Sequence, residues 1–262
     1  MQLIKSIILS IFSSITNILP ISYSSHITLY KEVFNTNMFD NSALLSLLNI
    51  STVLAIFILY YKDFLFFIKK IITLKKTKNK PLYKQNTKYI KFYISISILS
   101  GITYLIFHSR TTNLKRIAFS YIITAFLLFL STNKKGEYNH THLTCKSAIF
   151  LGISPILTII PSLSPLSAYL FTSSRLHLNK KPALTLSLLC TIPILLLNSI
   201  PGLIYIINEQ TYVISSLLSI VIATFISLQI VKYLKNLYNQ NKLYKFSLYC
   251  IFISLFILIW FR

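Results

Sequence analysis

Acidic residues are nearly absent from this chain. Five Asp and Glu stand against 26 Lys and Arg in 262 residues, a formal net charge of +21. Charged residues of both signs make up only 12%, where a soluble domain uses about 25% to cover its surface. The shortage argues against a water-soluble domain. It also argues against a nucleic-acid partner, because a basic binder would not combine its excess of cations with so little total charge. Cysteines are few and scattered: Cys145, Cys190 and Cys250 form no C-x-x-C pair, which argues against a zinc site or a disulfide framework. None of the five acids (Glu32, Asp40, Asp63, Glu137 and Glu209) lies inside an apolar run. Hydrolysis of a phosphate ester or anhydride normally uses a carboxylate to hold a metal or activate water. No obvious carboxylate is available here.

What the chain has instead is apolar length. Hydrophobic residues make up 54%, and the mean hydropathy is +0.66. Six runs approach the length needed to cross about 30 Å of hydrocarbon. They cover residues 44–61, 89–107, 114–131, 184–207, 213–231 and 244–261. Two further runs are apolar but interrupted. Residues 3–30 are rich in serine and broken at Pro20. Residues 148–171 are broken at Pro155, Pro161 and Pro165. The first is a poor signal peptide, because no small-x-small cleavage site precedes a polar stretch.

The basic residues orient these runs, since Lys and Arg concentrate on the cytoplasmic side. Lys62–Lys91 holds ten lysines and is expected to be cytoplasmic. Lys134, Lys135 and Lys146 follow inside, as do Lys232, Lys235, Lys242 and Lys245. Asn208–Thr211 has no Lys or Arg and is expected outside. The scheme closes only if 148–171 enters from the cytoplasm and returns there, and 3–30 does the same from outside. Each half then reads as one re-entrant pair followed by three crossings. Three is odd, so the halves, 1–133 and 134–262, sit in opposite orientations. The expectation is an all-α polytopic membrane protein with six transmembrane helices, two re-entrant helix pairs and an inverted-topology repeat.

Irregular backbone at membrane depth survives only against protein or a water-filled cavity. Two tips entering from opposite faces are therefore expected to meet and build one polar site. The first tip offers Ser22, Ser24, Ser25 and His26, its only histidine. The second offers Ser162, Ser164 and Ser167. Hydroxyls and amides at helix starts after a proline make an anion or phosphate cradle. The competing reading is that membrane serines bond the backbone or pack between helices. The tips contain no arginine, and Arg175 reads as a positive-inside anchor.

The order of these features resembles the undecaprenyl-diphosphate phosphatase family of bacterial inner-membrane proteins. Asn17 to His26, reading N-I-L-P-I-S-Y-S-S-H, is similar to that family's E-F-L-P-[IV]-S-S-[ST]-G-H. Asn49 to Ile56, N-I-S-T-V-L-A-I, resembles Q-L-G-[ST]-x-L-A-V. Leu151–Pro155, running on to Ile159–Leu166, resembles G-x-x-Q followed by [LI]-[IV]-P-G-x-S-R-S. The resemblance implies removal of the terminal phosphate from a polyprenyl diphosphate carrier of cell-wall synthesis. It also implies a divalent cation, Mg or Ca. It implies His26 as the catalytic residue, with Ser22, Ser24 and Ser164 around the phosphate; Ser25 and Ser162, which stand where the family has glycines, are expected in the same phosphate cradle from their place in the tips. The family's first-motif carboxylates fall on Ser13 and Asn17, its phosphate-binding arginine on Pro165, and the following serine on Leu166. Proline cannot replace a guanidinium fork, so these substitutions argue against orthodox turnover. The rival expectation is a non-catalytic binder or translocator of polyprenyl phosphate lipids.

Overall fold

The computed structural model describes residues 2–34, 42–74, 95–106, 113–132, 136–138, 144–160, 163–208 and 213–261. Its helices are α1 (Gln2–Ile18), α2 (Tyr23–Phe34), α3 (Ser42–Leu74), α4 (Ser95–Ile106), α5 (Leu114–Thr132), α6 (Cys145–Ile153), α7 (Pro165–Arg175), α8 (Lys180–Asn208), α9 (Val213–Asn239) and α10 (Tyr244–Trp260). A 3-10 turn, Ser154–Ile159, extends α6. No strand occurs among the described residues, only an isolated bridge between Tyr138 and Leu178. The chain is an all-α polytopic membrane protein. Among the described residues, four helices are long and apolar enough to cross a bilayer: Ala43–Lys62 within α3, α5, α8, and Ser215–Asn239 within α9.

Prolines and serines break the helices where the sequence led us to expect. Leu19–Ile21 separates α1 from α2 around Pro20, and Pro155 converts the end of α6 into a 3-10 turn. Proline lacks the amide that would continue the ladder. Two helices run on beyond the expected spans. The α3 helix continues past residue 61 to Leu74, with a kink at Tyr60 (φ −112°, ψ 19°) where its apolar stretch gives way to Tyr61 and Lys62. Likewise, α9 continues past residue 231 to Asn239. Lysines are good helix formers, so a basic run ends the membrane span without ending the helix. The expected span 89–107 is described only over Ser95–Ile106. Most of the Lys62–Lys91 loop and residues 209–211 lie outside the described residues.

Packing pairs each half with the other. The α3 helix packs along α8 and α9, α5 along α10, and α1 along α9. Close approach of α3 and α8 depends on Gly202, where a Cβ would lie 2.5 Å from the Ala43 carbonyl oxygen and 2.7 Å from the Leu47 nitrogen. The α1 and α9 helices run parallel. The Ser10 hydroxyl donates to the Ser219 carbonyl (3.2 Å) and, one turn on, the Ser14 hydroxyl donates to the Ala223 carbonyl (2.9 Å). The α5 and α10 helices run antiparallel, with Ser254 donating to the Ala118 carbonyl at 2.8 Å and Tyr121 lying near Tyr249. Small residues let these backbones meet without water between them.

The outer surface is apolar. On α10, Leu248, Phe252, Leu255 and Ile259 are exposed along one stripe, and on α9 so are Leu217, Val221 and Phe225. Such faces suit hydrocarbon, not water. The apolar stretch of α8 is 67% buried and that of α9 only 28%, so α8 runs through the centre and α9 faces the lipid. The interior holds many serines and threonines. Most satisfy their hydroxyls on a carbonyl three or four residues earlier, as Ser14 does on Ser10 (2.6 Å).

Candidate functional site

The two breaks meet at one cavity of about 610 Å³. From the first tip, its wall takes Asn17, Ser22, Tyr23, Ser24 and Ile27. From the second it takes Leu163, Ser164, Pro165 and Leu166. The remaining wall is Thr16 of α1, Leu45, Ser46 and Asn49 of α3, Tyr104 and Leu105 of α4, and one face of α8 that includes Thr191, Leu197, Asn198 and Pro201. Among the expected phosphate-binding residues, Ser22, Ser24 and Ser164 line the cavity. Ser25 is buried behind it, with its hydroxyl 3.0 Å from that of Ser22. Ser162 lies outside the described residues.

Two helices begin at this cavity. Ser164 is the N-cap of α7, its hydroxyl accepting from the Ser167 amide at 3.4 Å, and Pro165 takes the first helical position. A proline there wastes no hydrogen bond, because that amide has no partner in a helix. The α2 helix begins at Tyr23, directly after Ser22, which has a positive φ of 67°. That left-handed conformation is uncommon outside glycine. It turns the chain sharply from the Pro20 segment into α2. The positive ends of both helix dipoles lie at the cavity.

His26 does not line the cavity. Its ring is buried, and both nitrogens are engaged. Nδ1 lies 2.7 Å from the Ser22 carbonyl oxygen and Nε2 lies 2.7 Å from the Tyr249 hydroxyl. A carbonyl only accepts, so its partners assign the proton to Nδ1, and Tyr249 donates to Nε2. The Tyr121 oxygen sits 2.9 Å from Nδ1, beside the same proton. The imidazole thus fixes the Ser22 carbonyl and ties α2 to α5 and α10.

Ser13 and Asn17, where the resemblance would put carboxylates, hold a neutral relay. The Asn17 Nδ2 donates to the Ser13 hydroxyl oxygen at 3.1 Å. Ser13 is hydrogen-bonded to the Tyr23 hydroxyl, and Tyr23 donates to the Leu45 carbonyl at 3.3 Å. Ser13 is fully buried, while Asn17 and Tyr23 reach the cavity. Opposite them, Asn198 donates to the Tyr104 hydroxyl at 3.1 Å, closing α8 on α4. Every polar side chain in the described wall is a neutral hydroxyl or amide. Glu32 is exposed on α2, about 12 Å along the helix from Ser24. Arg175 is exposed at the far end of α7, about 15 Å from Pro165, against the ring of Phe171. Among the described residues, no three His, Cys, Asp or Glu gather as a metal would require.

Sequence reasoning found the two tips and missed the rest of the wall. Tyr23 stands where the first motif has its second serine, a substitution visible in the sequence. Thr191, Asn198 and Tyr104 come from long helices and carried no local signal. Tyr121 and Tyr249, which seat His26, lie on α5 and α10 with nothing around them to distinguish them from other membrane tyrosines.

Comparison with known proteins adds the last observation. The family described as "Bacitracin resistance protein BacA" matches residues 6–256. A protein named undecaprenyl-diphosphatase from Thermosipho melanesiensis is 33% identical over 252 residues, covering 95% of this chain and 96% of its own. Its namesake from Thermosipho africanus is 30% identical over 249 residues, with the same coverage. Undecaprenyl-diphosphatase 1 of Bacillus licheniformis is 25% identical over 269 residues, covering 98% of this chain and 97% of its own.

Proposed function

Because the chain belongs to the bacitracin resistance protein BacA family, we propose that it binds undecaprenyl diphosphate in the cavity between its two tips and removes the terminal phosphate at a much reduced rate. The observation that carries this reading is the convergence of Ser22, Ser24 and Ser164, with the starts of α2 and α7, on one cavity. A row of backbone amides and hydroxyls suits phosphate oxygens. Ile27, Leu105, Leu197 and Pro201 supply an apolar end for the first isoprene units.

Turnover needs more than a cradle. A general acid or base contributes about 10²–10⁴-fold, and an electrostatic stabiliser about 10²–10³-fold. The family implies a divalent cation. The residues here do not fit one, because the carboxylate positions hold a serine and an asparagine bonded to each other. His26 acts on the site through Ser22 as a positioning residue. The same neutral wall favours a second reading, in which the chain binds or moves the lipid without hydrolysing it.

The protein belongs, in this reading, in a bacterial inner membrane, with Lys62–Lys91 cytoplasmic and the halves 1–133 and 134–262 inverted. Helix directions support it. If Asn208–Thr211 is external, α9 runs inward, and α1, parallel to it, enters from outside as a re-entrant arm.

Native mass spectrometry of the detergent-solubilised protein with undecaprenyl diphosphate tests the reading. Wild type retains one lipid, and Ser164→Phe, which puts a ring among the cradle hydroxyls and removes the α7 cap, loses it. No adduct on wild type, or an equal one on the variant, contradicts the assignment of this cavity.

A further inference from the structure

We infer that this cavity has no seat of its own for a divalent cation, and that such an ion enters only on the lipid, as the cation–diphosphate complex. The inference rests on the diphosphate reading above and departs from it in where the cation resides. Mg²⁺ and Ca²⁺ are hard ions held by oxygen, and carboxylates normally supply the compensating charge. The two positions that would supply it are Ser13 and Asn17. Their polar groups are committed in a chain of donors running from the Asn17 amide through Ser13 and Tyr23 to the Leu45 carbonyl. Asn17 directs its NH₂ into that chain, and the amide oxygen it keeps is neutral, so it brings no charge to offset a dication.

The rest of the described wall does not compensate. Asn49 donates to the Ser46 carbonyl at 2.9 Å, and Asn198 donates to Tyr104. The starts of α2 and α7 add partial positive charge, which opposes a bare cation and favours an anion. Bringing an uncompensated dication into a low-dielectric pocket is prohibitive. A cation–diphosphate complex has most of its charge already offset, and a neutral cradle can hold it. In this arrangement the cation is a component of the substrate, and the protein contributes donors to the oxygens the cation leaves exposed.

Manganese spectroscopy separates this from a resident site. Lipid-free wild-type protein in detergent, titrated with Mn²⁺, is expected to leave the free-ion electron paramagnetic resonance signal unchanged from detergent alone. Adding undecaprenyl diphosphate should then remove more signal with protein present than the lipid removes by itself. Lipid retention should fall several-fold when EDTA replaces the cation. The Ser13→Glu/Asn17→Glu variant should gain Mn²⁺ binding without lipid. Stoichiometric Mn²⁺ binding by lipid-free wild type, lost in Asn17→Ala, overturns the inference. If lipid is retained neither with cation nor without, the diphosphate reading fails instead, and the lipid-free titration still decides whether a resident seat exists.

Discussion

The Nε2 of His26 lies 2.7 Å from the hydroxyl of Tyr249, 223 residues further along the chain. The two rings are stacked, with centroids 5.7 Å apart and planes 3° from parallel, while Tyr121 meets the imidazole edge-on at 84°. The first tip is therefore held by the last helix. Its other ring nitrogen holds the Ser22 carbonyl, so the backbone that shapes the cavity depends on α10.

Tyr249→Phe should destabilise the protein by about 1–3 kcal/mol, because it leaves a buried acceptor without its donor. His26→Ala should add less in that background than it does alone, since the two residues share one interaction. Thermal unfolding in detergent measures both. An unchanged midpoint for Tyr249→Phe would show that the bond carries no weight.

Ser22 separates side-chain chemistry from backbone shape. At φ 67°, Ser22→Gly keeps the turn, whereas Ser22→Val places a branched side chain in a left-handed conformation at a cost of about 1–3 kcal/mol. The expected order of melting midpoints is Gly at or above wild type, with Val clearly below. Equal midpoints for Gly and Val would remove the conformational argument.

Two glycines should respond in opposite ways. At Gly101 an added Cβ meets only Leu197 Cδ1 at 3.6 Å, an ordinary contact, while at Gly202 it meets the α3 backbone at 2.5 and 2.7 Å. In a helix, alanine is favoured over glycine by about 1 kcal/mol. Gly101→Ala should therefore be neutral or stabilising. Gly202→Ala should lower the midpoint and force α8 away from α3. The reverse order would contradict the packing described for this helix pair.

Much of this was legible in the sequence, and the rest had physical reasons for being hidden. Pro20, Pro155 and Pro165 marked the breaks because proline acts locally. The lysines of α3 and α9 mark the end of the hydrocarbon-crossing part, and where each helix stops beyond them carries no such local mark. Ser22, Ser24 and Ser164 could be expected near one cavity because each sits beside a break. His26 was expected to face the phosphate, but its seat is made by Tyr121 and Tyr249 from distant helices. Asn198 and Thr191 reach the cavity only because α8 runs through the centre of the fold, which no local pattern encodes.

Topology can be read with single cysteines in a background lacking Cys145, Cys190 and Cys250. An impermeant thiol reagent applied to intact spheroplasts should label a cysteine at Asn208–Thr211 and none within Lys62–Lys91 or Lys232–Lys245. A cysteine at the start of α1 should label with the first group, because α1 runs parallel to α9. Labelling confined to the lysine-rich loops reverses the orientation. Labelling of the α1 start with those loops contradicts the re-entrant arm.

The central claim is that the cradle survives while the groups that drive turnover do not. Phosphate release from undecaprenyl diphosphate with Mg²⁺ tests it most directly, comparing wild type, the Thermosipho melanesiensis relative, and the triple variant Ser13→Glu/Asn17→Glu/Pro165→Arg. Wild type should be at least about a hundredfold slower than the relative. The triple variant should recover rate where single changes do not, because such groups act as a unit. Arginine at position 165 replaces a proline whose missing amide the helix does not need, so α7 should tolerate it. Release by wild type at the relative's rate, abolished in His26→Ala, would contradict the account and return the chemistry to the imidazole.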